Sequence, residues 1–120
     1  MEESQVRKFQ KDLNGGLVAL VLLAVLAASA EDLYGYEIAK RLEKANRGEP
    51  LFKEGTVYPQ LRALSAAGLL TSRIVPSYSG PPRRYYRITE EGRATLGAYS
   101  HVWRQTRDFV DGFIETGHSL

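Results

Sequence analysis

EGTVYPQLRALSAAGLL, residues 54–70, is the stretch on which the fold turns. Val57, Leu61 and Leu64 recur at steps of four and three, which predicts a helix with a narrow buried stripe, and Gly68 offers a left-handed stop. The narrow stripe leaves Thr56, Pro59, Arg62, Ala63 and Ala66 facing outward, with Tyr58 at the border. Pro59 falls early enough that its missing N–H costs little more than a slight kink.

Moving toward the C-terminus, the period shortens from a helical one to two. Leu70, Thr71, Arg73, Ile74 and Val75 read as one strand and Arg84, Tyr85, Tyr86, Arg87 and Ile88 as its partner, joined by the polar, Gly/Pro-rich tip PSYSGPP at 76–82. Tyr86 and Ile88 alternate with Tyr85 and Arg87, so one face is expected to meet the core while the other stays basic and aromatic. Thr89 followed by Glu90 and Glu91 is a helix start, a capping hydroxyl with two carboxylates at the positive end of the dipole. That helix is expected to reach about residue 116. Leu96, Tyr99, Trp103, Thr106, Val110 and Phe113 follow in it at alternating steps of three and four, a heptad seam suited to packing against a second copy of the chain.

Moving toward the N-terminus, Asp32 is expected to cap a helix over 33–45 whose apolar stripe is Tyr34, Ile38, Leu42 and Ala45, with Lys40, Arg41 and Lys44 off the stripe. The sequence NRGEP at 46–50 ends it. Residues 17–28 are apolar on all sides and read as the central core helix, and Asn14-Gly15-Gly16 is expected to separate it from an arm or short helix over 1–13. The domain plan is therefore an arm at 1–13, a winged helix-turn-helix at 14–89 and a C-terminal dimerisation helix at 90–120. The fold class is mainly α with a small β-hairpin.

Composition narrows the function. With 43% hydrophobic and 25% charged residues, 120 residues suit one ordinary globular domain, and the absence of cysteine removes disulfides, thiolate metal sites and cysteine nucleophiles while favouring the cytoplasm. Arg7, Lys8 and Lys11 before the apolar run, and Ala28-Ser29-Ala30 after it, imitate a secretory signal. Against this, Glu2, Glu3 and Asp12 cancel the basic side chains and Asn14-Gly15-Gly16 interposes a break before the run; a membrane span is disfavoured separately, because the run reaches only about 18 Å, short of a bilayer core of about 30 Å. No membrane partner is expected. His101 and His118 are far apart and accompany no carboxylate pair, phosphate loop or ligand-spacing motif, so neither an enzyme, a metal site nor a cofactor is expected.

The charge is uneven. Residues 33–88 hold ten Lys/Arg against four Glu, a net +6 in a chain whose total is +2. That excess sits on the second helix, the third helix and the hairpin, which is where a winged helix-turn-helix meets duplex DNA: third helix in the major groove, hairpin tip on an adjacent backbone or minor groove. Thr56 and Tyr58 offer hydroxyls near a helix N-terminus, and Arg62, Arg83 and Arg84 offer guanidinium forks. Lys53, Gln60 and Tyr78 complete the DNA-contacting candidates on these elements.

LYGYEIAKRLE at 33–43, EGTVYPQLRALSAAGLL at 54–70 and PPRRYYRITEEG at 81–92, in this order and spacing, resemble the signature stretches of the PadR family of bacterial transcriptional regulators. The resemblance spans about residues 14–92 and makes 17–28 the first helix of that fold. It implies a major-groove helix opening at Gly55-Thr56-Val57-Tyr58, Tyr36 near the DNA backbone and Arg83-Arg84 on the wing. A single C-terminal helix is similar to the small subclass of the family. The wing tip Ser77-Tyr78-Ser79 is shorter on acidic residues than the family pattern, which bears on its contacts more than on the fold.

The function implied is a sequence-specific, homodimeric repressor of transcription binding an operator in double-stranded DNA. Tyr99 and Trp103 are its candidate effector site: two indoles across a two-fold axis would enclose a slot for a planar aromatic molecule, and the resemblance points the same way, because members of the family respond to aromatic compounds. Plainer readings stand beside these. Tyr36 and Tyr86 also fit as core aromatics, Thr56 as a cap-region hydroxyl, Arg87 as half of a surface ion pair and Trp103 as a packing anchor. The rival for the whole chain is a winged helix that binds another protein, which would lack the salt-dependent affinity for duplex DNA.

Overall fold

The structure, a computed structural model, describes residues 2–48 and 51–116; Glu49 and Pro50 of the expected helix stop, and His118, lie outside the described residues. Seven elements follow one another: α1 (Glu2–Ala27), β1 (Leu33–Tyr34), α2 (Gly35–Ala45), α3 (Glu54–Ala66), β2 (Leu70–Val75), β3 (Arg83–Ile88) and α4 (Glu90–Thr116). The strands form one antiparallel sheet in the order β1-β3-β2. The fold is the winged helix-turn-helix with a long C-terminal helix that the sequence predicts.

Val18, Leu22, Leu23 and Leu26 of α1 are buried in the middle of the domain. Ile38 of α2, Val57, Leu61 and Leu64 of α3, and Leu33, Leu70, Tyr86 and Ile88 of the sheet close around them. By length and apolarity α1 alone among the described helices would also pass for a membrane span, yet this buried half is the core of the domain. The stop of α3 is as expected: Gly68 takes φ +81°, and Leu69 N–H donates to the Leu64 carbonyl at 3.0 Å.

Three local expectations change. Asn14-Gly15-Gly16 does not interrupt the first helix, which runs unbroken from Glu2. Two glycines cost about 1 kcal/mol each against alanine, too little to break a helix held by its neighbours. Here Lys8 pairs with Asp12 at 2.8 Å, Gln10 Nε2 donates to Asn14 Oδ1 at 2.7 Å, and Asn14 Nδ2 donates to the Leu51 carbonyl at 3.0 Å.

Asp32, secondly, does not cap α2. The helix begins only at Gly35, and its first turn is held by Glu37, whose carboxylate accepts from the Tyr34 N–H at 3.1 Å. Leu33 and Tyr34 instead form the unforeseen third strand, pairing with Tyr86 and Tyr85. Asp32 is drawn away by two cations: Arg73 Nε donates to its Oδ2 at 3.0 Å and Arg87 Nε to its Oδ1 at 2.7 Å. Arg87 is thus half of an ion pair.

The third change concerns α4, whose seam is only partly left for a second copy. Leu96 packs against the domain core, and Tyr99, Trp103 and Thr106 face α1 across a groove. The cause is the unbroken α1, which gives α4 a partner in its own chain. At its start α4 is anchored by Thr89, whose Oγ1 donates to the Gly68 carbonyl at 2.7 Å and accepts from Gly92 N–H at 3.0 Å.

Two tests follow from this packing. A methyl group on Gly92 would run into the Leu69 carbonyl oxygen and the Ile88 side chain. Because the obstacle is backbone, Gly92→Ala is expected to destabilise the protein by about 1–3 kcal/mol in chemical denaturation. The Asp32 carboxyl is held below its ordinary value first by the hydrogen bond from Arg87, against an opposing push from burial, with Arg73 adding to the lowering. A carboxyl lowered on folding gives stability that is present above its unfolded pKa, about 4, and lost as pH falls through the folded value. Melting of Asp32→Asn at a series of pH values is therefore expected to fall below wild type at neutral pH, with the gap closing as the pH drops below about 4.

Candidate nucleic-acid interface

Strand periodicity sorts the wing into two faces. Arg84, Tyr86 and Ile88 alternate with Arg83, Tyr85 and Arg87 along β3, and the register sets Ser72 opposite Tyr86 and Arg73 opposite Tyr85. Tyr86 is buried, as its alternation with Ile88 suggests, and its role is in the core. Burial pushes its phenol up, while Arg84 and Arg62 act in the opposite direction. Arg84 is held by a 3.1 Å hydrogen bond from its Nη1 to Ser72 Oγ.

At the other end of α3 the N-cap is Lys53, in extended backbone and without a side-chain cap. Thr56 is therefore not the cap; its side chain is exposed in the first turn. Tyr58 lies half-buried against Gly35, where an added Cβ would come within 2.6 Å of its ring, so only glycine admits the ring there. Burial raises the Tyr58 phenol above its ordinary value, and Glu54 and Tyr36 add to the rise, so the hydroxyl remains a donor at neutral pH. Tyr36 itself is exposed and is a surface aromatic. Gln60 is half-buried, and Tyr78 stands fully exposed at the wing tip.

The outer face carries a feature of which the strand pattern showed only part. Lys40 Nζ sits 5.5 Å from the centre of the Tyr36 ring, and Tyr36 stacks on Tyr34 at 6.2 Å and 21°. The Arg83 guanidinium lies over Tyr34 at 4.5 Å, Tyr34 meets Tyr85 at 5.4 Å, and Arg73 covers Tyr85 at 5.0 Å. Cations and tyrosines thus interleave from α2 across β1 and β3 to β2. Each contact is worth only about 0.5–1 kcal/mol when exposed, yet together they fix long cationic side chains before any ligand arrives. Of these residues Tyr36 and Arg83 are legible in the sequence as DNA-contacting candidates; Tyr34 is not, because a two-residue strand has no period to detect, nor is Arg73, because its neighbour depends on hairpin register.

Tyr99 and Trp103, the candidate effector pair, line an open groove of about 520 Å³ between α4 and α1 together with Leu13, Leu17, Leu20 and Thr106. Beyond it, Val110 and Phe113 of the seam are exposed, as are Phe109 and Ile114, with Phe109 and Phe113 packed edge to face at 5.0 Å. The described residues contain no group of three or more side chains suited to holding a metal.

Comparison with known proteins agrees with this geometry. The model of the transcriptional regulator PadR-like family matches residues 22–98. The crystal structure of a PadR family transcriptional regulator from Eggerthella lenta is 33% identical, with a TM-score of 0.80 and 96% of each chain covered. A transcriptional regulator from Clostridium thermocellum is 29% identical, with a TM-score of 0.77 over 86% of this chain and 98% of that one. An uncharacterised protein from Lysinibacillus sphaericus is 28% identical over 103 residues, 86% of this chain and 92% of its own. A family match over most of the winged domain, joined to a fold shared from end to end with such regulators, makes this chain a member of the PadR-like family of DNA-binding transcriptional regulators, and not an enzyme.

Proposed function

We propose that the chain is a dimeric repressor acting in the cytoplasm, which reads its operator with the N-terminal half of α3 and holds the flanking backbone with the wing. The observation that carries this reading is the run of cations on tyrosine rings, Lys40 on Tyr36, Arg83 on Tyr34 and Arg73 on Tyr85, which joins α2 and the wing in one face. Thr56, Tyr58, Gln60 and Arg62 are the base-reading candidates, since a helix in the major groove presents its outward side chains to base edges. Lys53, Tyr36, Tyr78, Arg83 and Arg84 are the backbone-holding ones.

Pairing through α4 supports the same reading. Phe109, Val110, Phe113 and Ile114 expose a large apolar stripe in water, the kind of surface that a second copy covers. Leu96, Tyr99, Trp103 and Thr106 continue that stripe toward the domain, where α1 already shields part of it. An effector would lie in the groove beside Tyr99 and Trp103, whose lining is mostly apolar and whose aromatic walls suit a planar aromatic molecule. A ligand there would touch no DNA. It would change how α4 meets its partner, and with that the separation of two recognition helices that must match half-sites about 34–36 Å apart.

Three measurements test this reading. Arg62→Ala is expected to relax base preference at one operator position by about 1–3 kcal/mol, whereas Arg83→Ala is expected to weaken all duplexes alike and to lower the salt slope by about one. An unchanged specificity profile for Arg62→Ala moves base reading to Thr56, Tyr58 or Gln60. Phe109→Asp combined with Phe113→Asp is expected to sediment as a folded monomer, and a variant that stays dimeric removes the α4 interface. Trp103 is the only tryptophan, so saturable quenching of its fluorescence by planar aromatic compounds reports the groove directly. No saturation across a panel of such compounds removes the effector.

A further inference from the structure

The cations of the wing are held from below by a carboxylate, and charge alone does not explain why it is there. Asp32 is the last residue before β1, and its side chain is 11% exposed while those of Arg73 and Arg87 above it are 58% and 68% exposed. Each carboxylate oxygen takes one Nε, at 3.0 Å from β2 and at 2.7 Å from β3. One side chain thus ties together all three strands. The turn that presents it is itself fixed, because Ser29 Oγ donates to the Glu31 carbonyl at 2.6 Å and accepts from the Glu31 N–H at 3.3 Å.

The wing needs such a tie. β1 pairs with β3 over two residues only, Leu33 with Tyr86 and Tyr34 with Tyr85, and the inward residues that root the hairpin in the core, Leu70, Tyr86 and Ile88, sit toward its base. Beyond them the hairpin projects as a lever carrying Arg83 and Arg84. From Asp32 a continuous set of contacts runs to that lever: Arg73 on the Tyr85 ring, Tyr85 against Tyr34, and Tyr34 beneath Arg83. Tyr34 also stacks on Tyr36, and Gly35 between them lies close against the Tyr58 ring of α3. The carboxylate therefore stands at one end of a chain of contacts that reaches both groups of candidate DNA-contacting residues.

We infer that Asp32 is a positioning residue for DNA recognition: by clamping Arg73 and Arg87 it sets the angle of the wing relative to α3, so that removing this negative charge weakens operator binding. The sign separates the two accounts. An acidic side chain on a DNA-facing domain, if it acted by charge alone, would repel phosphate, and its removal would free two arginines and tighten binding to any duplex. The inference rests on the reading that the wing touches DNA.

The test compares wild type with Asp32→Asn, full-length, on two probes: a duplex selected from a random-sequence pool by the wild-type protein, and poly(dI-dC). The selected duplex is expected to bind the variant about tenfold more weakly, the scale of one lost base contact, while poly(dI-dC) binds it equally or more tightly. Backbone amides of β2 and β3 are expected to exchange hydrogen faster in the variant. Selected-duplex affinity that is unchanged or higher, or β2 and β3 amides that keep wild-type protection, overturns the inference. Should Asp32→Asn fail to fold, Arg73→Gln combined with Arg87→Gln opens the same clamp from the other side, and protection retained in that variant overturns it equally. Arg83→Ala serves as the control for the underlying reading: if it binds both probes as wild type does, the wing does not touch DNA, an outcome visible independently of amide exchange.

Discussion

The two-residue period of β3 is the constraint on which the other parts of this molecule depend. Successive side chains of a strand point to opposite faces, so a central strand must satisfy two environments at once. Tyr86 and Ile88 seal the core against α1 and α3, and Arg83, Tyr85 and Arg87 face out. A slip of one residue would drive arginines into the core and expose both apolar side chains, at a cost no surface contact could offset. Pairing on both sides, with β1 and with β2, holds the register and thereby fixes where each cation of the wing stands.

Given that register, the outer face becomes ordered at small cost per contact. Lysine and arginine side chains lose rotamer freedom whenever they are localised, and a binding surface made of freely moving cations would give up that entropy on meeting DNA. Here Tyr34, Tyr36 and Tyr85 supply flat faces on which Arg83, Lys40 and Arg73 rest. The rings hold the cations without neutralising them, because the attraction comes from the ring quadrupole and leaves the net charge in place. Arg73 and Arg87 share the shielded carboxylate of Asp32, whereas Lys40 meets Glu43 of its own helix at 3.8 Å, and of the hairpin's cations Arg73 and Arg87 stand nearer its base than Arg83.

The long helices serve the remaining part of the molecule. α1 begins outside the domain and ends in its core, and α4 begins against the core and runs outward, so the two lie along each other where neither is fully covered. Their groove is apolar because both helices turn to it the same residues that would otherwise face water. Farther along α4, among the described residues, Phe109, Val110, Phe113 and Ile114 are left exposed. The apolar stripe of α4 is thus bare at one end and shared with α1 at the other.

The sequence by itself determined whatever depends on local period and on chain punctuation. The helix at Glu54–Ala66 with its Gly68 stop, the alternation of Tyr86 and Ile88 with Tyr85 and Arg87, and the start of α4 after Thr89 are each carried by residues within a few positions of one another. Only the tertiary structure decided matters that need two distant segments to meet. Asn14-Gly15-Gly16 looks like a break and is not, because Asn14 finds the Leu51 carbonyl. Asp32 looks like a helix cap and is not, because Arg73 and Arg87, 41 and 55 residues away, bind it more strongly than a helix end would. Trp103 sits in a regular seam, yet it faces α1 of its own chain, since a heptad pattern states that a helix face must be covered and not which partner covers it. Local propensities are small beside the free energy of burying a core or pairing a shielded charge, so wherever the two compete the distant contact prevails.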